Sequence, residues 1–430
     1  MKGKAQIIFK DIRDGSEKII HEENMFTAAL DSLYNGNPGG VVSPTVQGTG
    51  SKMNIANPGI YEAYNAQSLR IALGGVLVFP QQLEENRNNL YAPANNYPTG
   101  YASDDGTDGS DIRRGSFQAA ESGYVTRGYK FVWDFATSAA NGTWAALALT
   151  HAWGGKSYLR EKSGYMNGAT MNNVSQLGQH GRHYVEIAGR NLFIAITGEW
   201  IIWSNGTEVR KTRWPISKLI LNPTISASEF VTASEKVVDL PWTSAAYIPD
   251  TDEAFFIVRR SSTTALQWNR YSISGDLLGS GTWTVSGTTL LSRAGVFAKV
   301  GDYIYWPKAD STKWVKINTA NTADTTEIDL PFVAGQRDIH ATAINDTVHT
   351  QNGIIIGNSA MVSTDAAYPR QRLQGVWLVG ANYTTSNTGT VAELSATPFT
   401  PYLATINNLQ TPVVKDAGKT AKIIYTVTEE

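Results

Sequence analysis

The chain has 430 residues, a formal net charge of −2, 17% charged residues and no cysteine. Nothing in that charge balance points to nucleic acid or an anionic membrane as a partner, and the lack of cysteine excludes disulfides and thiolate-held metals. The length predicts two or three domains, while few charges combined with 39 Gly and 10% aromatics predict an all-β chain with many turns that buries surface in an assembly.

Residues 2–24 read as a β-hairpin, with Ala5 to Phe9 as one strand, Arg13-Asp14-Gly15 as the turn and Glu17 to His21 as the return. The apolar run at the start, Ile7-Ile8-Phe9, is too short for a secretion signal. No stretch reaches the ~18 apolar residues of a membrane span, so synthesis in a cytoplasm is expected. Asn24 is placed as a helix N-cap, with Thr27 as the second choice. Met25, Phe26, Ala29, Leu30 and Leu33 then recur at helical spacing, and Gly36 with Pro38 stops the helix.

Residues 36–66 are loop. Leu69 to Phe79 is a strongly apolar strand or strand pair, and Gly74-Gly75 within it marks a bulge or a close approach. Residues 80–116 are again mostly loop, more irregular chain than a compact domain carries unless it is functional or packed on neighbours. Within them Asp104, Asp105, Asp108 and Asp111 are candidate oxygen ligands for Ca²⁺, set against the alternative of a solvated turn, because the spacing lacks the alternate positions and terminal Glu of a helix-loop-helix site.

Tyr129 to Thr150 is the stretch around which the first domain is expected to form. Tyr129, Phe131, Trp133 and Phe135 alternate onto one strand face, with Lys130 and Asp134 on the other. Asn141-Gly142 suits a tight turn, so the stretch reads as a central hairpin whose second half, Trp144 to Thr150, is buried on both faces. Residues 151–181 are a Gly- and Asn-rich connection.

From residue 182 short aromatic strands recur with polar turns between them: Leu192–Ile196 then Trp200–Trp203; Ala254–Val258 then Leu266–Tyr271; Val296–Val300 then Tyr303–Trp306 and Trp314–Ile317; Gly353–Gly357 then Gly375–Val379. The spacing is close to the pitch of four-stranded propeller blades, with four to five units, and an ordinary β-meander or sandwich is the alternative. Lys422 to Thr428 alternates cleanly, with Ile423, Tyr425 and Val427 on one face.

Three groups of segments together carry a resemblance. They are Gly3-Lys-Ala-Gln-Ile-Ile-Phe-Lys-Asp11 with Glu23-Asn-Met-Phe-Thr27; Phe131-Val-Trp-Asp-Phe135 with Ala140-Asn-Gly-Thr143; and Tyr402-Leu-Ala-Thr-Ile-Asn-Asn-Leu409 with Thr411-Pro-Val-Val-Lys415 and Lys422-Ile-Ile-Tyr-Thr-Val-Thr-Glu429. In this order they resemble virion structural proteins of tailed phages of Gram-positive bacteria, of the tail, baseplate or fibre type. The resemblance covers roughly the first 150 residues and the last 40. It implies a virion protein made in the host cytoplasm, and it brings no catalytic residues with it.

The expected fold is all-β and mainly antiparallel with one short N-terminal helix. A β-sandwich-like docking domain of residues 1–181 is completed by 384–430, and a propeller-like or β-meander repeat region of residues 182–383 is inserted between them. His180 and His183 have a metal-site spacing without an evident third ligand and read as turn histidines. Gly155-Lys-Ser157 and Gly418-Lys-Thr420 lack the first glycine of a phosphate loop, no Gly-x-Ser-x-Gly elbow occurs, and Asp250, Asp252 and Glu253 read as solvated loop carboxylates. Trp200, Trp203, Trp268, Trp306 and Trp314 are the candidate stacking residues for a glycan, against the alternative of core packing.

The expected function is assembly and host-surface adhesion without catalysis. The expected partners are copies of the chain itself (a trimer preferred), other virion proteins and host cell-wall glycan, with no nucleic acid and no membrane. A head or collar decoration protein without a receptor role, and a virion-borne glycan-degrading enzyme, are the alternatives.

Overall fold

The computed structural model describes residues 2–36, 46–47, 51–52, 69–93, 96–107, 109–156, 183–186, 192–196, 200–213, 234–242, 245–251, 253–292, 295–310, 312–331, 341–344, 346–350, 353–362, 371–386, 389–398 and 400–429. Antiparallel sheet dominates throughout. The chain forms two compact units, one from residues 1–42, 54–161 and 398–430, the other from 43–53 and 162–397. The sequence reading places the boundaries of the insertion at 182 and 383.

In the first unit Lys419–Thr428 lies at the middle of one sheet, between Lys2–Asp11 and Gly128–Phe135. Registers align Ile7, Ile423 and Trp133 in one row and Ala5, Tyr425 and Phe131 in the next. Opposite residues share a face, and each of these six is at most 1% exposed. The alternation that separates Tyr129, Phe131, Trp133 and Phe135 from Lys130 and Asp134 is therefore realised as a core face and a solvent face. The hairpin Lys2–Asp11 with Glu17–Glu23 forms as expected.

A second sheet runs Met25–Phe26, Thr405–Lys415, Gly142–Thr150, Gly75–Phe79, Gly100–Ala102. The two sheets pack through Trp144, whose ring centroid lies 5.1 Å from Phe9 and 5.2 Å from Phe135, and through the Tyr425 hydroxyl, which donates to Asn407 Oδ1 at 2.8 Å.

Gly128–Phe135 and Gly142–Thr150 do not form the expected central hairpin. They lie in different sheets, so residues 136–141 cross from one sheet to the other. Thr405–Lys415 and Lys419–Thr428 make the same crossing through residues 416–418, and each strand of one crossing pairs with a strand of the other. The crossing puts Phe135 and Trp144 in facing sheets, where their rings meet edge-on at 5.2 Å and each covers the other's apolar face.

The helix runs Ala28–Gly36. Thr27 caps it rather than Asn24: its hydroxyl accepts the Ala29 N–H at 3.1 Å, while Met25 and Phe26 are drawn into the second sheet by pairing with Ile406 and Thr405. Leu69–Ala72 is a helical turn leading to the strand Gly75–Phe79. At Gly74 a Cβ would fall 2.0 Å from the Arg70 carbonyl oxygen, so the chain turns there at a distance no side chain tolerates.

The second unit contains five four-stranded antiparallel sheets among the described residues. Four are simple meanders: 192–239, 246–284, 298–329 and 341–362. The fifth takes three strands from Gln371–Gln374, Trp377–Ser386 and Gly389–Pro398, and its fourth from His183–Glu186, which precedes the first meander. The first strands of successive meanders lie against one another in turn, and that of the fifth lies against that of the first. The meanders form a ring, latched by pairing between the two ends of the unit.

Candidate functional site

The second meander is built of Ala246–Thr251, Ala254–Ser262, Ala265–Ser272 and Leu277–Thr284. Phe256 lies opposite Arg270 and Val258 opposite Trp268; Arg270 then lies opposite Gly279 and Trp268 opposite Gly281. Phe256, Trp268 and Arg270 thus share one face, and the outer strand offers no side chain to cover the last two.

Two bulges flank this face. Asp250 is the extra residue in the first pairing, and Leu278 is the extra residue in the last. A bulge re-aims the side chain it carries. Here Asp250 turns onto Arg270 and also onto Lys299, from the first strand of the third meander. Its Oδ2 accepts from Arg270 Nε at 2.7 Å, and its Oδ1 lies 2.7 Å from Lys299 Nζ.

The Asp250 side chain is 6% exposed, and those of Lys299 and Arg270 are 18% and 35% exposed. One largely buried carboxylate therefore fixes two cations, and a net positive charge faces outward through Arg270. The guanidinium also lies 5.9 Å from the Phe256 ring centroid, within cation–π range. Arg270 Nη1 makes no hydrogen bond to a described residue.

Trp268 stacks on Trp283 at 5.2 Å and 24° and meets Phe256 edge-on at 5.6 Å. Its indole Nε1 has no hydrogen-bond partner among the described residues. A Cβ at Gly281 would fall 2.9 Å from Trp268 Cζ2, whereas one at Gly279 would lie at an ordinary 3.6 Å from Cζ3. The indole is thus packed on the hydrophobic core, between Trp283, Phe256 and the glycines of the outer strand that make room for it, with its Nε1 buried, and a guanidinium pinned by Asp250 lies beside it.

Of the other candidate stacking residues, Trp203, Trp306 and Trp314 are 2%, 1% and 0% exposed. A stacking platform needs an open face, and these three have none. Trp203 Nε1 donates to Thr212 Oγ1 at 3.0 Å and Trp306 Nε1 to the Leu291 carbonyl at 3.0 Å. They are core side chains that fill the meanders. Trp200 is half-buried, with Lys211 Nζ 4.7 Å from its ring centroid, and it does not join the Trp268 face.

The aspartates of the first unit are engaged by protein donors. Asp105 pairs with Arg114 and lies 3.5 Å from Lys156. Asp104 accepts from Ser103 at 3.1 Å, and Asp111 accepts from the Tyr101 hydroxyl and from the Arg113 N–H. Lys156 and Arg114 thus lie beside Asp104 and Asp105, neutral donors engage Asp111, and Asp108 lies outside the described residues. His183 begins a strand, and His180 lies outside the described residues.

Asp250, read as a solvated loop carboxylate, is instead a strand residue turned inward by its bulge. The sequence did hold a signal for this face: Trp268 and Arg270 at strand spacing, followed by Gly279-Ser280-Gly281 inside a strand that carries no charge.

No family model and no curated protein matches the chain. Among solved structures, it is similar to glutaminyl cyclase of Myxococcus xanthus (9% identity, 50% of this chain and 98% of that chain, TM-score 0.26). A nidogen/laminin complex (10%, 67% and 89%, TM-score 0.25) and Hsv2 of Kluyveromyces lactis (12%, 50% and 75%, TM-score 0.25) are similar to the same degree. Likeness at this level carries no argument about fold or function.

Proposed function

We propose that the chain is a structural component of a tailed-phage virion, of the tail or baseplate fibre type, that acts by assembly and host-surface adhesion. The observation carrying this reading is that the first and last strands of the chain are ladder neighbours in one sheet, so the ring of meanders is an insertion into a unit closed by both ends. The segments that resemble phage virion proteins fall on that unit. Lys2–Asp11, Gly128–Phe135, Thr405–Lys415 and Lys419–Thr428 are its central strands.

In this reading the two-ended unit docks on the particle and on copies of itself, with a trimer preferred. Ile112 and Tyr124 on it are 71% and 92% exposed, which suits residues that meet a neighbour. The inserted ring is a five-bladed propeller that contacts host cell-wall glycan. The reading assigns the protein no catalysis.

Labelling intact particles with antibody against the chain, together with light scattering of the purified chain, tests this. Label at the tail or baseplate and a closed homo-oligomer are expected. Label on the head or collar overturns the adhesion role in favour of decoration, and unlabelled particles overturn the virion assignment.

A further inference from the structure

We propose that the free edge of the N-terminal hairpin, Glu17–Glu23, pairs antiparallel with the same strand of a second copy across a two-fold axis through Ile20. The proposal rests on the self-assembly part of the reading above and gives that assembly a named contact. Combined with a trimer made through other surfaces, it yields a closed assembly of paired trimers. Its test uses the purified chain, so failure to pair overturns this contact alone, and unlabelled particles overturn the virion reading alone.

Glu17–Glu23 is the outer strand of the first sheet, with Lys2–Asp11 on one side and no described strand on the other. The Asp11 N–H donates to the Ser16 carbonyl at 2.9 Å, and the Asn24 N–H donates to the Gly3 carbonyl at 3.3 Å. Hydrogen-bonded pairs alternate along an antiparallel ladder. Lys18, Ile20 and Glu22 therefore turn their N–H and C=O groups toward Lys2–Asp11, while Glu17, Ile19, His21 and Glu23 turn theirs outward. Those outward groups have no backbone partner among the described residues. A strand edge in this state is a template for another strand.

Side-chain charge selects the partner and the register. The strand reads Glu17-Lys-Ile-Ile-His-Glu-Glu23. Laid against itself in full overlap, it sets Ile20 opposite Ile20, Lys18 opposite Glu22 on both sides of the axis, and Ile19 opposite His21. The outward groups then bond within the Ile19–His21 and Glu17–Glu23 pairs. Ile20 and the Lys18–Glu22 pairs take the non-bonded places, where side chains stand closest.

A shift of register by two residues in either direction breaks both Lys18–Glu22 pairs. The Glu22 carboxylate is held at the edge by the Gln410 N–H at 3.2 Å. Glu17 and Glu23 meet as like charges at the strand ends, but each has a lysine of its own sheet beside it: Lys10 at 3.5 Å from Glu17, and Lys4 opposite Glu23. Ile19 is 49% exposed, so pairing also covers apolar surface. A foreign strand would have to bring Lys and Glu to the same places, whereas a second copy brings them by symmetry.

The test is the mass of the full chain by light scattering in the micromolar range. The parent chain should have twice the mass of K18E and of E22K, since each variant sets like charges opposite one another at both places and should weaken pairing at least about tenfold. The double variant K18E/E22K exchanges the charges and should return to the parent mass. The chain has no cysteine, so I20C should oxidise to a disulfide-linked dimer, because position 20 meets itself at the axis. E17C faces position 23 of the copy and should stay unlinked. A parent chain no heavier than K18E, a double variant that keeps the mass of the single variants, or I20C that links no faster than E17C overturns the proposal.

Discussion

Lys415 Nζ lies 2.7 Å from the carbonyl oxygen of Ala139. The same ammonium donates to the Ala136 carbonyl at 2.8 Å and to Asn141 Oδ1 at 2.9 Å. Lys415 ends one strand that crosses between the sheets, and residues 136–141 are the other crossing, so a single side chain ties the two together. It is 1% exposed. Burial pulls its pKa down to about 8, which still leaves the ammonium mostly protonated at neutral pH.

Replacing Lys415 with Met strands those acceptors. Leaving buried acceptors unpaired costs about 1–3 kcal/mol, so K415M should lower the stability of the first unit by about 3 kcal/mol. Urea unfolding of the variant and of the parent chain measures this directly, and new protease cleavage within 136–141 should accompany the loss.

The two-ended unit makes a second prediction. Ile423 is fully buried between Ile7 and Trp133. I423A should cost about 3 kcal/mol from lost burial and the cavity left behind. A chain ending before Lys419, which lacks the central strand, should lose protease resistance across residues 2–156. Intact resistance in the truncated chain would contradict the ladder.

The ring makes a third. Its closure rests on His183–Glu186 pairing with Gly389–Pro398, with Tyr184 opposite Glu393 and Val185 opposite Ala392. Successive N–H groups of a strand point to opposite sides, so proline at both 184 and 185 must remove a ladder bond. A loss of about 3 kcal/mol is expected, read as a lower melting temperature of the whole ring and not of one meander alone.

Acid sensitivity follows from two histidines. Burial lowers the pKa of His151 and of His349 from 6.5 to about 3. Both are neutral in the folded chain, so between pH 6.5 and about 3 the unfolded chain binds more protons. Their contribution to stability is fully present above pH 6.5 and is lost as pH falls toward 3, at about 1.4 kcal/mol per pH unit for each. Urea midpoints from pH 7.5 to 4.5 should fall accordingly, while the imidazole resonances of both residues stay still above pH 5.

The strand pattern was legible because alternation has a physical cause. Tyr129, Phe131, Trp133 and Phe135 could not be buried as a strand in any other way, and the same holds for Ile423, Tyr425 and Val427. The crossing at 136–141 was not legible. Asn141-Gly142 is a good local turn whichever strands it joins, and the choice between a hairpin and a crossing was made by partners far along the chain, Lys419–Thr428 and Thr405–Lys415.

The fate of each tryptophan was hidden for a similar reason. Trp268 differs from Trp306 and Trp314 through what stands opposite it, Gly281 in the neighbouring strand, and not through anything beside it in sequence. Asp250 was misread because a bulge, unlike a regular strand, leaves no periodic trace.

Adhesion by the full chain is tested most directly by its binding to host cells when clustered on a bead, before and after enzymatic removal of cell-wall glycans. Weak single-site binding multiplied over many copies should coat untreated cells. Stripping the glycans should abolish the coating. Equal binding to stripped, unstripped and non-host cells would contradict adhesion and leave the ring as a structural spacer.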